Sequence, residues 1–551
     1  MTTRAQYTDK KNAELEVFLD NAHQTATQGS DAVLDTAAIR SATPELLSRA
    51  SLPADVQETI ELMPNDQQTR VLDSVLMGAE SYRQSHGVLP TGDVIRAALQ
   101  QGRSAAANLD SKGRVLDSVG STDHHDQFSA QPNRIVVAIT AAIAEAIPYA
   151  TYLPTDIGSN EARLGIVSHQ TGSAFGAYAL NDLLDGVYVG ETYVSSERRI
   201  SLALDGTREA ATGKVTGQIG GTEDTPLLRG RSIVLVNGFP VAYESHNAPA
   251  SAPTSPVSGG VKLGAIHHVI SGTVNPDTGD VALAFSPALP AGTSVEVEGF
   301  IDFEKAPGLA PSIITQVQTY SLFAAPWRVL ADQSVDSRTQ YQNELGLDLQ
   351  SENLMAIRNQ AGMERHYASM RKLMALAKSN AKVYNFDWDG QKQEKTRAQI
   401  WQDSMSVIGQ ADQQMCEDTM DHGITHLYVG KRIGAQLQSL PPDLFQSSGL
   451  TVRPGVFRLG RAFGRYEVYY SPKVIEEQVG SAQILAIGRS NQVARCPIVL
   501  GDAVPPTFLP LATGTDMKSR QAFYARNFTS INPHQPSAMG AALINVTNLG
   551  L

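Results

Sequence analysis

The 551 residues predict an α+β chain with an all-β module set into it. The stretch from Gly346 to Ser379 follows a helical pattern throughout and holds no proline. Between about residues 185 and 304 the apolar period shortens to two, and after residue 305 strands and helices alternate again.

Asp348 stands where an N-cap belongs, behind Gly346, which can end a preceding helix, and Glu352 suits the first turn. Roughly thirty residues at 1.5 Å each make a rod about 45 Å long. Leu347, Leu354, Ala361 and Ala368 recur at sevens with Ile357 and Leu376 beside them, and Met363, Tyr367, Met370 and Met374 fall on the opposite side. Two apolar sides predict a helix sandwiched between two bodies. The Leu and Ala stripe is expected on the sheet of its own domain, and the Met and Tyr side against another layer or a neighbour. Arg358, Arg365 and Lys372 form a cationic row, read either as a solvated edge with intramolecular ion pairs or as a contact for acidic neighbours, another subunit or packaged nucleic acid.

Residues 1 to about 109 read as helical, broken at Pro44, Pro53, Pro64 and Pro90, with Val71, Leu72, Val75 and Leu76 at helical spacing. Asp110 to Asn133, rich in Gly, Ser and Asp, reads as an extended arm or linker. Residues 134–148 predict a short apolar helix, and the next stretch a long reaching hairpin. The runs at 198–204, 231–236, 239–245, 267–274, 280–285 and 293–303 are strands of a compact antiparallel β-sandwich of about 120 residues. Asn247 to Gly260 reads as a flexible loop within it. Then follow a strand at 313–327, a helix from Asp336 that stops at Gly346, the long helix, and an amphipathic helix at 398–422. A strand at 425–430, a strand and turn at 458–472, two buried strands near a sheet edge from Ala482 and Pro497, and a last strand at 522–533 complete the chain.

A content of 42% hydrophobic and 18% charged residues argues against disorder, and a formal charge of −12 against a general nucleic-acid binder, which needs a basic surface. Cys416 and Cys496 are the only cysteines, too few for a disulfide scaffold or a cysteine zinc site. The N-terminus carries charges where a signal peptide needs an apolar core, and no stretch approaches the apolar length of a membrane span, so no membrane partner is expected.

Catalytic signatures are absent. The run at Gly172 has the wrong spacing for a nucleophile elbow, Arg208 stands where a phosphate loop before Gly213 and Lys214 needs glycine, and no Gly-x-Gly-x-x-Gly follows a strand. Asp123, His124, His125 and Asp126 read as solvated linker, because adjacent residues on an extended chain point apart. His422 and His426 flank a helix end at Gly423, His267 and His268 occupy ordinary strand positions, and Glu296 with Glu298 reads as a solvated face. Trp327, Trp388 and Trp401 all lie outside the β module, which leaves it short of sugar-stacking platforms. No catalytic, cofactor-binding or metal residue is assigned, and no enzyme is expected.

The order of parts resembles the major capsid protein of tailed bacteriophages, the Hong Kong 97 (HK97-like) fold, in its T-even-like branch. Residues 134–148 look like the helix before that family's extended loop, 342–361 like its turn into the spine helix, 463–472 like the strand and turn after its axial domain, and 523–533 like its closing strand. The resemblance covers residues 126–551, interrupted by the sandwich. It implies an N-arm, short helix and extended loop at 126–184, a β-sandwich insertion at 185–304, a peripheral domain with spine helix at 305–385, an axial domain at 386–475 and returning strands at 476–551, behind a helical N-terminal region and linker at 1–125. It also implies a virion protein assembled in the host cytoplasm into pentamers and hexamers, with scaffolding, portal and decoration partners and non-specific contact with packaged double-stranded DNA. Relatives often lose an N-terminal segment after a glutamate with Leu or Ile two residues earlier. Glu14, Glu16, Glu45, Glu58, Glu61 and Glu80 all lack that residue. The alternatives are an encapsulin-like nanocompartment shell and a glycan-binding β-sandwich surface protein.

Overall fold

The computed structural model describes residues 4–27, 38, 39, 42–44, 46, 52–63, 68–107, 126–155, 160–249, 251–345, 349–511 and 518–550. The chain divides into two units, residues 1–166 with 319–551, and residues 167–318.

The first unit starts with helices Arg4–Thr27, Ala54–Ile60, Thr69–His86 and Gly92–Ala107. Val71, Leu72, Val75 and Leu76 are all at most 2% exposed, as their spacing requires. Helix Gly92–Ala107 starts against the backbone of the first helix. A Cβ on Gly92 would lie 2.1 Å from the carbonyl oxygen of Asn12, so only glycine permits that approach, and the Gly92 amide donates to Glu16 at 2.8 Å. The next helix runs Asp126–Ala144, packed by Thr69–His86 and Gly92–Ala107. It begins eight residues before the predicted start at 134, through Pro132, because a proline in an otherwise helical pattern reads as a break and here is not one. Most of the predicted linker, residues 108–125, lies outside the described residues.

Two sheets complete this unit. One has four strands in the order 151–152, 498–511, 518–531, 325–334. The other has eight strands, in the order 381–385, 541–547, 481–488, 424–429, 466–470, 457–462, 445–447, with 477–478 added beside 481–488. Strand 518–531 does not close the chain as predicted. Ala541–Thr547 follows it and pairs on both sides; of the two stretches expected near a sheet edge, 498–511 lies next to the two-residue edge strand 151–152, while 481–488 is an interior strand. The amphipathic helix predicted at 398–422 is two helices, Arg397–Asp403 and Met405–Thr419, meeting at Ser404, whose hydroxyl donates back to the Trp401 carbonyl.

The second unit holds nine antiparallel strands in one hydrogen-bonded path: 197–201, 295–300, 233–236, 239–244, 255–263, 266–274, 280–286, 210–214, 203–204. The first and last strands are halves of one segment, separated only by Leu202, so the path returns to where it began instead of forming two separate sheets. A sandwich and a recurved single sheet both bury alternate residues, here Val295, Val297, Val281, Leu283 and Phe285, so alternation alone does not separate them. Part of the predicted loop Asn247–Gly260 is strand Ser255–Leu263, central in the path. Its Ser, Pro and Gly content conceals it, yet Gly259 is needed there, since a Cβ would lie 2.1 Å from the Val241 carbonyl oxygen.

Leu72→Ala, in the core of the first unit, is expected to lower stability by about 2–5 kcal/mol. Val17→Ala, at a site 60% exposed, is expected to change it by less than about 0.5 kcal/mol. Urea midpoints of the two variants measure the contrast.

Candidate functional site: the long helix and its ribbon

The long helix runs Leu349–Leu376 and ends in a 3-10 turn, Ala377–Asn380. Its 28 residues make a rod about 42 Å long. Glu352 sits in the first turn; Gly346, Leu347 and Asp348, including the predicted N-cap, lie outside the described residues.

The two apolar sides of the helix are buried unequally. Tyr367, Met370, Leu373 and Ala377, each at most 6% exposed, enter the core of the first unit with Tyr428, Tyr469, Leu485 and Leu543. Leu354, Ile357, Ala361 and Ala368 are only half-buried. Methionine and tyrosine reach further from the helix axis than alanine and fill irregular space, whereas periodicity reports that two sides are apolar and not which is deeper.

The cationic row is spent within the chain. Arg358 pairs with Glu145, Arg365 with Asp502 at 2.9 Å, and the Lys372 ammonium donates to the Thr529 carbonyl. This is the intramolecular alternative of the sequence reading, and it ties the helix to the four-stranded sheet through Asp502 and Thr529. The pairs differ in kind. Arg358 and Glu145 are each more than a third exposed, while Arg365 and Asp502 are 16% and 4% exposed. Burial disfavours the Arg365 charge, but the Asp502 carboxylate and the Tyr152 phenol outweigh it and hold the guanidinium above its ordinary value. Gln101 donates to the other Asp502 oxygen at 2.7 Å.

A second buried pair joins the N-terminal helices to the eight-stranded sheet. Arg489, just past strand 481–488, meets Asp93 at 2.9 Å and donates to Thr91 at 2.7 Å and to the Pro148 carbonyl. The second Asp93 oxygen accepts from the Tyr152 amide at 3.0 Å. Above this pair lies a cluster of rings. Tyr428 stacks on Tyr469 with centroids 5.2 Å apart, Tyr149 meets Tyr428 edge-on at 5.4 Å, and His86, His366 and His426 fill the gaps. Burial raises the Tyr428 and Tyr469 phenols well above their ordinary value.

Strands Glu161–Thr171 and Ile313–Phe323 pair as a two-stranded ribbon. Ile313, Val317 and Phe323 are about 60% exposed or more.

The chemistry-bearing residues considered in the sequence do not gather. His422 follows the left-handed Met420 at a helix end, His426 lies in strand Ile424–Val429, and His268 is buried with Nδ1 2.8 Å from the Pro287 carbonyl oxygen. Glu296 pairs with Arg199 across the sheet. Asp123, His124 and His125 lie outside the described residues. No group of three or more metal-capable side chains occurs among the described residues, and no described helix is long and apolar enough to cross a membrane. Asp93, Arg489 and Asp502 were not singled out from sequence, since an isolated charge beside an apolar run reads as a cap or a surface residue until its distant partner is known.

No protein-family model matches the chain, and no curated protein matches it. Among solved structures, it is similar to the capsid of the jumbo bacteriophage PhiKZ, with 10% identity and a TM-score of 0.35 over 72% of this chain and 91% of that one. It is similar to the capsid of Ralstonia phage GP4, with 10% identity and a TM-score of 0.29 over 43% and 77% of the two chains. It is also similar to the SrpI encapsulin of Synechococcus elongatus, with 10% identity and a TM-score of 0.27 over 44% and 79%. These are the kinds of shell that the sequence resembles.

Arg365→Ala is expected to cost about 3–5 kcal/mol because it strands the buried Asp502 carboxylate. Arg358→Ala is expected to cost no more than about 1 kcal/mol. Denaturant titration of both variants, the second repeated at high salt, measures the difference.

Proposed function

We propose that the chain is the major capsid protein of a tailed bacteriophage, a structural subunit that assembles with copies of itself into the pentamers and hexamers of an icosahedral head. The observation that carries this is strand Ile313–Phe323. Its eleven residues pair along one edge only and leave Ile313, Ile314, Val317 and Phe323 between 43% and 68% exposed. A long open-edged apolar strand is a liability in a monomer and an asset where another copy covers it. Rings around five-fold and six-fold axes need such heterologous contacts, repeated by every subunit.

In this reading the ribbon is the extended loop, the long helix with the four-stranded sheet is the peripheral domain, the eight-stranded sheet is the axial domain, and the nine-stranded unit is an insertion. The helices within residues 1–107 are a retained layer, because they share one core with the long helix and both sheets. Scaffolding and portal proteins are the partners in this reading, decoration proteins an optional addition, and enclosed double-stranded DNA is met without sequence preference.

One observation favours a second reading, an encapsulin-like shell that holds protein cargo. The chain carries a formal charge of −12, and its cationic row is occupied by Glu145, Asp502 and Thr529, which leaves that row unavailable to phosphate.

Produced with its scaffolding partner, the protein is expected to form closed shells in negative-stain microscopy. Mass spectrometry of the shells is expected to find the helices of residues 1–107 intact. Small species under all conditions overturn the assembly reading. Shells filled with a folded protein and free of nucleic acid favour the second.

A further inference from the structure

His86, His366 and His426 come from three distant stretches and meet in one buried place. His86 is the last residue of helix Thr69–His86, His366 lies on the long helix, and His426 on strand Ile424–Val429. The groups in ring or hydrogen-bond contact with them are neutral. His86 lies between Tyr82, with ring centroids 4.3 Å apart, and Tyr469, whose hydroxyl is 3.3 Å from Nδ1. The His366 Nε2 lies 3.3 Å from the Tyr428 hydroxyl, with the Tyr149 ring at its edge. The His426 Nδ1 lies 2.7 Å from the Thr425 hydroxyl, beside Tyr149 and Tyr469. The charges that reach the imidazoles are Arg458 toward His86 and Arg489 toward His426, while the Glu467 and Asp93 carboxylates reach the flanking Tyr469 and Tyr82 phenols. The carboxylates nearest those arginines are already engaged, Glu467 with Arg458 at 2.6 Å and Asp93 with Arg489 at 2.9 Å. Among the described residues, no carboxylate forms an ion pair with any of the three imidazoles.

We propose that this histidine and tyrosine cluster is an acid-operated latch, which holds the C-terminal end of helix Thr69–His86 on the long helix and the eight-stranded sheet at neutral pH and releases it when the imidazoles take up protons. The proposal is independent of the shell reading, since it concerns a seam inside one chain. Burial, aided by the neighbouring positive groups, pushes His86 and His426 down to about 3, and burial pushes His366 down to about 4, from an ordinary 6.5. Between those limits the open seam binds more protons than the closed one. The contribution is therefore complete above pH 6.5 and is lost progressively as pH falls toward 4. Each imidazole freed makes opening about tenfold more favourable per pH unit, so three together give up to roughly a thousandfold.

Hydroxyl-radical footprinting of the full chain from about pH 7.5 to about pH 4.5, read by mass spectrometry, tests this. Oxidation of Tyr82 and Tyr469 is expected to rise steeply and together on acidification, while Trp401, in the separate core under the eight-stranded sheet, stays protected. His86→Gln, His366→Gln and His426→Gln are each expected to lower the steepness by about one tenfold step per pH unit. The proposal is overturned if Tyr82 stays protected in the unmodified chain throughout, if Trp401 becomes exposed at the same pH, or if the folded variants open with unchanged steepness. Where a variant does not fold, the unmodified chain alone decides between the first two outcomes and the expected one.

Discussion

Burial of Tyr367, Met370, Leu373 and Ala377 is the contact on which the first unit depends. A helix of 28 residues gains too little from intrinsic propensity to persist in water alone and takes its stability from packing. The core that this face joins draws on the whole chain: Leu72, Val75 and Tyr82 before residue 100, Ile143 and Tyr149 from the middle, Tyr428, Tyr469 and Leu485 from the eight-stranded sheet, and Leu543 near the end. The N-terminal helices therefore form part of the core and not an appendage to it.

Charge then fixes what apolar burial leaves free. Apolar contacts tolerate sliding, whereas a buried carboxylate separated from its arginine is left with the full cost of desolvation. Asp93 with Arg489 and Asp502 with Arg365 set two registers in this way, the first between the N-terminal helices and the eight-stranded sheet, the second between the long helix and the four-stranded sheet. Such pairs add little net stability compared with an apolar replacement, but they penalise every alternative packing. The Arg358–Glu145 pair, half in water, does neither to the same degree.

The parts legible in the sequence were those that a local period encodes. The long helix, the buried face of Thr69–His86, and the alternation Val295, Glu296, Val297, Glu298 all announce themselves within a few residues. What stayed hidden depended on partners far along the chain. Which apolar side of the long helix is deeper, which strands are interior, and where Arg365, Asp93 and Arg489 find their counter-ions are decided by residues tens to hundreds of positions away. Composition misled in two places, Pro132 inside a helix and the Ser, Pro and Gly of strand Ser255–Leu263, where tertiary pairing overrides local preference.

The treatment of strand edges separates a module that is finished from a surface that is not. The nine-stranded path ends on a five-residue and a two-residue strand, halves of one segment, so little edge is offered for pairing. The ribbon does the opposite. Both of its strands are eleven residues long, it has two strands only, and strand Ile313–Phe323 points apolar side chains outward along its length. A two-stranded ribbon is marginal by itself in water. Exposed Leu330 on the edge strand Ala325–Ser334, next in the chain, continues the same open apolar character. Such a surface is stable against indiscriminate aggregation only when a defined partner occupies it.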